Sequence, residues 1–190
     1  YYARFNDGEW TNLFNTNITP FTIINSLSIT DNGNTIVIGS NLFISIYNFI
    51  NNVWVYYNTY IVSNNYICIN GTGKFIVIIN NSNTIVLWSF VLDWVYNTTI
   101  LLSGSHHFKV VAFSSDSSII VVYDADTNFV YFTYYNGSSW SYLSIVYNIP
   151  IPINSNYSLY MDKYNNIYLG GSPLSFFYQF FISSLCPRCL

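Results

Sequence analysis

The groups in this chain that could do chemistry are few. The 190 residues contain eight acidic residues, two histidines and three cysteines. Asp31, Asp116 and Asp162 fall at or within a residue of one position in a repeated pattern described below. Three carboxylates around one point would make an acid/base or cation site. The competing reading is turn formation, because Asp bonds readily to its own backbone. Repeat-linked positions spread around a ring rather than focus on one point, which favours the turn. In "DADTN", Asp124, Asp126 and Asn128 alternate like the oxygen ligands of a calcium loop. The stretch lacks the Gly at position 6 and the Glu at position 12 of an EF-hand loop, so a turn is preferred there too and no metal or other cofactor is expected. His106 and His107 are adjacent, and neighbouring strand residues face opposite ways, so at most one would join a given site. Glu9 is the single Glu, and the chain has no Gly-x-Ser-x-Gly and no phosphate loop. A nucleophile, a base and an orienting group cannot be assembled from this set. The enzymatic alternative is a glycosidase using an Asp pair across a funnel between the repeats.

Cys68 lies in an apolar run and reads as a small core residue. Cys186 and Cys189 form "CPRC" at the end of the sequence. A C-x-x-C pair is half of a zinc site, or a redox pair when it opens a helix in a βαβ unit. Neither context is present, which leaves an incidental or disulfide-capable pair. Six Asn-x-Ser/Thr sequons begin at Asn17, Asn70, Asn80, Asn97, Asn136 and Asn156. They matter only in a secretory pathway.

Composition bounds the class. Hydrophobic residues make up 52% and charged residues 7%, against about 25% charge in an average domain. That excludes disorder, which needs high charge and few aromatics. Tyr, Phe, Ile, Val, Thr and Trp suit a pleated, half-buried surface, and the abundant Asn suits turns because it tolerates positive φ. With a net charge of −3 and five scattered basic residues, the chain lacks the clustered cations that nucleic-acid binding requires. No apolar run reaches the roughly 18 to 20 residues of a membrane helix. A chain opening "YYARF" is expected to be processed or a piece of something longer.

The elements that must position these groups come from a repeat. "TDNGNTIVIGS" (Thr30 to Ser40), "NGTGKFIVIIN" (Asn70 to Asn80), "SSDSSIIVVYD" (Ser114 to Asp124) and "MDKYNNIYLGG" (Met161 to Gly171) are each a polar turn followed by a β run, at offsets of 40, 44 and 47 residues. Trp10, Trp54, Trp94 and Trp140 run in the same phase, 44, 40 and 46 residues apart. Three of them follow turn-like segments, "NDGEW", "INNVW" and "NGSSW"; the fourth follows "FVLDW". Each unit reads as four short strands separated by Asn, Gly, Ser and Asp turns. Four strands in 40 to 47 residues is one blade of a β-propeller. The units are a partial 1–24, then 25–62, 63–102, 103–146 and a degenerate 147–190. Gly73 closes the turn into the second strand of its unit. The tryptophans read as staples between strands, with a ligand-stacking ring as the alternative.

"GTGKFIVIINNSNTIVLW" (Gly71 to Trp88) resembles the WD40 type of propeller repeat, in which a D-G-K-x-I turn precedes the second strand and a D-x-T-I-x-L-W stretch forms the third. "LSGSHHFKVVAFSSDSSIIVVYDADTNFVYF" (Leu102 to Phe132) is similar to that family's Gly-His segment, its F-S-x-D-G turn and its third strand. Departures exist: Trp88 is followed by Ser89, so no Trp-Asp pair occurs, and only the third unit carries a Gly-His-like element, Gly104 with His106 and His107. The Trp hairpin more closely resembles the S-x-D-G-x-x-I-V-x-G … W repeats of some bacterial surface and giant-virus proteins. "SSDSS" faintly resembles the Asp-box of sialidase propellers, without its Gly and Trp. The resemblance spans most of residues 25 to 172 and implies a fold rather than a function.

The resulting expectation is an all-β protein, a β-propeller of about four blades or a portion of one. Its expected role is non-catalytic, presenting loops and a ring face to a protein or glycan partner. The alternatives are a structural surface or virion component and, third, a propeller hydrolase. "SFFYQFFISSL" reads as a sticky edge, so closure, a partner or self-association is expected to cover it.

Overall fold

A computed structural model describes residues 3–6, 9–12, 24–62, 66–80, 84–100, 106–141, 144–148, 156–172 and 176–181. Every described element is a β-strand: β1 (Ala3–Asn6), β2 (Glu9–Asn12), β3 (Ile24–Ile29), β4 (Thr35–Ser40), β5 (Phe43–Ile50), β6 (Val53–Ile61), β7 (Tyr66–Ile69), β8 (Phe75–Ile79), β9 (Ile85–Phe90), β10 (Trp94–Ile100), β11 (Phe108–Phe113), β12 (Ile119–Asp124), β13 (Phe129–Tyr134), β14 (Ser144–Asn148), β15 (Asn156–Met161), β16 (Asn166–Ser172) and β17 (Phe176–Phe181). They form three four-stranded antiparallel sheets in chain order (β3 to β6, β7 to β10, β11 to β14), a three-stranded sheet (β15 to β17) and the hairpin β1–β2. The connections are tight because the chain supplies residues that accept left-handed backbone. Asn51 and Asn52 lie at φ 51° and 63° between β5 and β6, the conformation a two-residue hairpin turn needs.

The second strand of each sheet explains the long β-branched runs. Along β8, Ile76 and Ile78 pack with the first sheet's Val37, Ile44 and Ile46. The alternate residues Val77 and Ile79 pack with the third sheet's Val111, Ile120 and Val122. β12 repeats the arrangement, giving Ile120 and Val122 to one side and Val121 and Tyr123 to the other, where Met161, Ile167 and Leu169 of the fourth sheet meet them. Both faces of these strands are covered, so period-two alternation of polarity disappears. Each fully buried aliphatic side chain contributes about 1.5 to 3 kcal/mol of transfer free energy.

The Trp marker has a counterpart. Every marked Trp sits across a hairpin from another aromatic residue: Phe5 opposite Trp10, Phe49 opposite Trp54, Phe90 opposite Trp94 and Tyr135 opposite Trp140. Ring centroids of the last three pairs lie 5.2, 5.4 and 5.3 Å apart, within the range of attractive aromatic pairs. The side chain of Trp10 lies outside the description. The backbone N–H groups of Phe49, Phe90 and Tyr135 donate to the carbonyls of Asn34, Lys74 and Ser118, the last residues of the turns between each sheet's first and second strands. In the third sheet Trp140 makes an isolated bridge with Tyr135, and the described fourth strand, Ser144–Asn148, pairs with β13.

At the rim, the first and second sheets are joined by Asp93, whose carboxylate accepts from the hydroxyls of Tyr57 and Tyr60. Partial burial and the bond to Asp93 push the Tyr60 phenol up to about 12.

Trp54 is 7% exposed, so Trp54→Ala removes a large buried ring that the chain cannot refill. Urea denaturation is expected to show a loss of about 3 to 5 kcal/mol. A folded variant losing under about 1 kcal/mol would identify the ring as an exposed binding aromatic instead.

Candidate functional site

The inner strands lie side by side, β3 beside β7, β7 beside β11 and β11 beside β15. Serine hydroxyls make part of this seam. Ser26 Oγ accepts from the Ile67 N–H at 2.9 Å and Ser28 Oγ from the Ile69 N–H at 3.0 Å. The last residues of all four inner strands, with their following turns, surround one pocket of ≈ 400 Å³. Leu27 and Ile29 line it from β3, Tyr66 and Cys68 from β7, Phe113 from β11 and Tyr160 from β15. Asp31 and Lys163, from the first and fourth turns, are its charged lining groups. Leu27 and Tyr160 are 59% and 62% exposed. Burial pushes the Cys68 thiol up, so it stays protonated and is a poor nucleophile at neutral pH.

The four turns at this pocket share one device. The first residue of the turn, just after the inner strand, lends its side-chain oxygen to the N–H of the first residue of the next strand. Thr30 Oγ1 accepts from Thr35 at 3.1 Å, Asn70 Oδ1 from Phe75 at 2.8 Å, Ser114 Oγ from Ile119 at 2.9 Å and Asp162 Oδ1 from Asn166 at 2.9 Å. Three residues further on, Gly33, Gly73, Ser117 and Asn165 each take φ between 62° and 72°. A Cβ on Gly73 would also sit 3.3 Å from Thr30 Cγ2.

This register separates the three repeat-linked carboxylates. Asp162 is the first residue of its turn. Asp116 is the third, accepting from Ser114 Oγ at 2.6 Å and from the Ser118 N–H at 3.0 Å. Asp31 is the second, and Asn32 takes the bonding role that Asp116 has in the third turn. Burial would raise the Asp116 and Asp162 carboxyls, but the hydrogen bonds they accept outweigh it and leave both lowered. Asp31 reaches across to the second turn. Its N–H donates to the Gly71 carbonyl at 3.1 Å, and a Cβ on Gly71 would clash with the Asp31 carboxylate.

Asp124, Asp126 and Asn128 form the turn between β12 and β13. The Asp124 side chain is fully buried. Its oxygens accept from His106 Nδ1 at 2.7 Å, the His107 N–H at 2.8 Å, Thr127 Oγ1 at 2.8 Å and the Asp126 N–H at 3.1 Å. Asn128 accepts from the Tyr123 hydroxyl at 3.0 Å. His107 Nδ1 lies 3.5 Å from Asp126. Both histidines therefore meet the same turn, contrary to the expectation that only one could join a site. The reason is that they precede β11 rather than alternate along it. Burial would raise the Asp124 carboxyl; the bonds from His106, His107, Thr127 and Asp126 outweigh it and hold it low. Cys186 and Cys189 lie outside the described residues.

No family model matches this sequence, and no curated protein does. Among solved structures, the β-propeller domain of Cps50 (Swd1) from Myceliophteria thermophila aligns with a TM-score of 0.53 and 8% identity, over 78% of this chain and 50% of that one. The chain thus spans half the length of that domain. At this identity the likeness concerns the fold, and the fold is an all-β β-propeller whose blades are the sheets described above. No described helix is long and apolar enough to cross a membrane.

Gly71→Ala places a methyl group against Asp31, so it is expected to cost about 1 kcal/mol in chemical denaturation. Most of that should return in the Asp31→Ala background, because the two positions are in contact and couple. For Asp124, a lowered folded pKa means stability that is present above the unfolded carboxyl value and lost as pH falls through the folded one. The melting temperature should fall on acidification below about pH 4, and Asp124→Asn should flatten that fall while costing about 1 to 3 kcal/mol at neutral pH.

Proposed function

We propose that this protein is a non-catalytic binding scaffold whose turn face and axial pocket receive a segment of a protein partner. The observation that carries the reading is the convergence of four inner strands on one pocket, with exposed Leu27 and Tyr160 beside Asp31 and Lys163. Apolar and aromatic anchors with a few polar groups are what a docked peptide needs. The pocket's chemistry also favours binding over turnover. A glycosidase needs two carboxyl groups flanking one bond, and among the described carboxylates Asp31 alone lines the pocket.

A second reading, a structural component packed side to side, draws on the rim. Ile61, Val91 and Leu92 are 83%, 71% and 92% exposed there, and exposed apolar patches favour association. Light scattering after size exclusion separates the two, since an assembly at micromolar concentration supports the structural reading.

Selection of a random displayed peptide library on the immobilised protein tests the first. Enriched peptides should bind at least about tenfold more weakly to Leu27→Asp, a loss of about 1.4 kcal/mol or more, and equally well to the rim variant Leu92→Asp. Peptides indifferent to every pocket substitution would defeat the proposal. Turnover of a glycoside abolished by Asp31→Asn would replace it with an enzyme.

A further inference from the structure

A second cavity lies away from the axis, between the second and third blades. It measures ≈ 470 Å³ and is bounded by the end of β10 and by the turn that carries Trp140. Its lining joins uncharged polar groups to an apolar wall. Asn97 and Thr99 come from β10, and Ser138 and Ser139 from the turn, beside the rings of Tyr135 and Trp140. No charged side chain lines it among the described residues. The axial pocket, by contrast, has Asp31 and Lys163.

Two local features shape the cavity. At Asn97 the β9–β10 ladder slips: Tyr96 faces Trp88 and Thr98 faces Leu87, leaving Asn97 as an extra residue without a cross-strand partner. A bulge of this kind re-aims a side chain and is common beside binding sites. Asn97 is thereby left out of the ladder, and it is exposed. Opposite it, Asn136 Oδ1 accepts from the Ser138 and Ser139 N–H groups, both at 2.9 Å. Ser138 Oγ also donates to Asn136 Oδ1 at 2.9 Å, and Ser139 Oγ accepts from Asn136 Nδ2 at 3.3 Å. The serines are therefore held before any ligand arrives, which lowers the ordering cost of binding, and a ligand would use the hydrogen-bonding capacity those bonds leave. The Tyr135 and Trp140 rings, tilted by 39°, supply an apolar wall.

We propose that this groove binds a neutral pyranose, as a free sugar or as one residue of a glycan. A sugar hydroxyl both donates and accepts, as do Ser and Thr hydroxyls, while a carboxamide offers one group of each kind. The C–H faces of the ring are apolar and suit an aromatic wall. An uncharged lining gives an anionic or cationic ligand no partner to offset its desolvation. The volume falls within the range of about 300 to 1,000 Å³ typical of small-molecule sites. This site is independent of the peptide-docking reading of the axial pocket.

The test is an NMR titration of isotopically labelled protein made in a host without N-glycosylation, because Asn97 and Asn136 both head sequons. The probes are methyl glucoside, methyl galactoside, methyl N-acetylglucosaminide and, as the charged control, methyl glucuronide. At least one neutral glycoside should shift the Asn97 side-chain amide and the Trp140 indole signal saturably, with a dissociation constant on the order of millimolar. Asn97→Ala, a change at an exposed residue, should weaken that binding at least about fivefold. Ser139→Ala should weaken it too, and Lys163→Ala at the axial pocket should not. Four outcomes would overturn the proposal: no response to any neutral glycoside, equal response to the glucuronide, shifts confined to axial residues, or affinity unchanged in both groove variants.

Discussion

The interaction on which most of the architecture depends is a single hydrogen bond repeated four times. At the end of each inner strand the chain must reverse within four or five residues, and the N–H that opens the second strand needs an acceptor. Thr30, Asn70, Ser114 and Asp162 each provide it from their side chains. Four residue types serve because the requirement is only an oxygen on a short side chain. The left-handed residue that follows differs equally freely, as Gly, Gly, Ser and Asn. The turn also fixes which way the second strand leaves, and hence which of its residues meet the preceding blade and which the following one. The bonds from Phe49, Phe90 and Tyr135 to the turn carbonyls then tie the third strand to the same point. Each blade is held at one end by a polar knot and along its length by apolar packing.

That division explains the unusual composition. A blade buried on both faces has no solvent-facing alternation to fill with Lys and Glu, so among the described residues charge is confined to turns, strand ends and the rim. Six Asp side chains lie among the residues whose surroundings are described. Asp116, Asp124 and Asp162 hold their own turns, and Asp93 joins two blades through Tyr57 and Tyr60. Asp126 stands beside His107, and Asp31 faces the axial pocket. Chemistry that needs paired carboxylates finds most of them committed elsewhere.

Much of the fold was legible in the residues. The offsets between polar turns and the phase of the tryptophans lead directly to four-stranded units, because each turn and each hairpin leaves its own residue signature. The aromatic facing each Trp was equally visible, four or five positions upstream in "FNDGEW", "FINNVW", "FVLDW" and "YNGSSW", but its meaning depends on hairpin register. The alignment of the Asp residues was not legible. The fourth turn is one residue shorter than the others, since Asn166 replaces the residue that Thr35, Phe75 and Ile119 supply one position later. Matching Met161 to Ser114 therefore placed Asp31, Asp116 and Asp162 in apparent correspondence. Both pockets were illegible for a different reason. Each is made where separate repeats meet, and nothing within one repeat records its neighbour.

Repeats therefore have consequences for where specificity can arise. The positions that make a blade a blade are equivalent in every unit, so they cannot distinguish one direction around the axis from another. A site needs departures from the repeat. The axial pocket obtains its polarity from positions where the units disagree. Asp31, Gly71, Ser115 and Lys163 are all second residues of their turns, and all four line the pocket. An acid, a glycine, a hydroxyl and a base thus occupy one structural position four times over, and none of them supplies the side-chain oxygen that closes its own turn. The groove between the second and third blades combines both kinds of position: a bulge recurs between the third and fourth strands at Tyr57, Asn97 and Val146, so the units differ there in the residue it carries, and the turn before Trp140 closes on one isolated bridge. Where the units agree, the residues hold the fold; where they differ, the surface acquires an address.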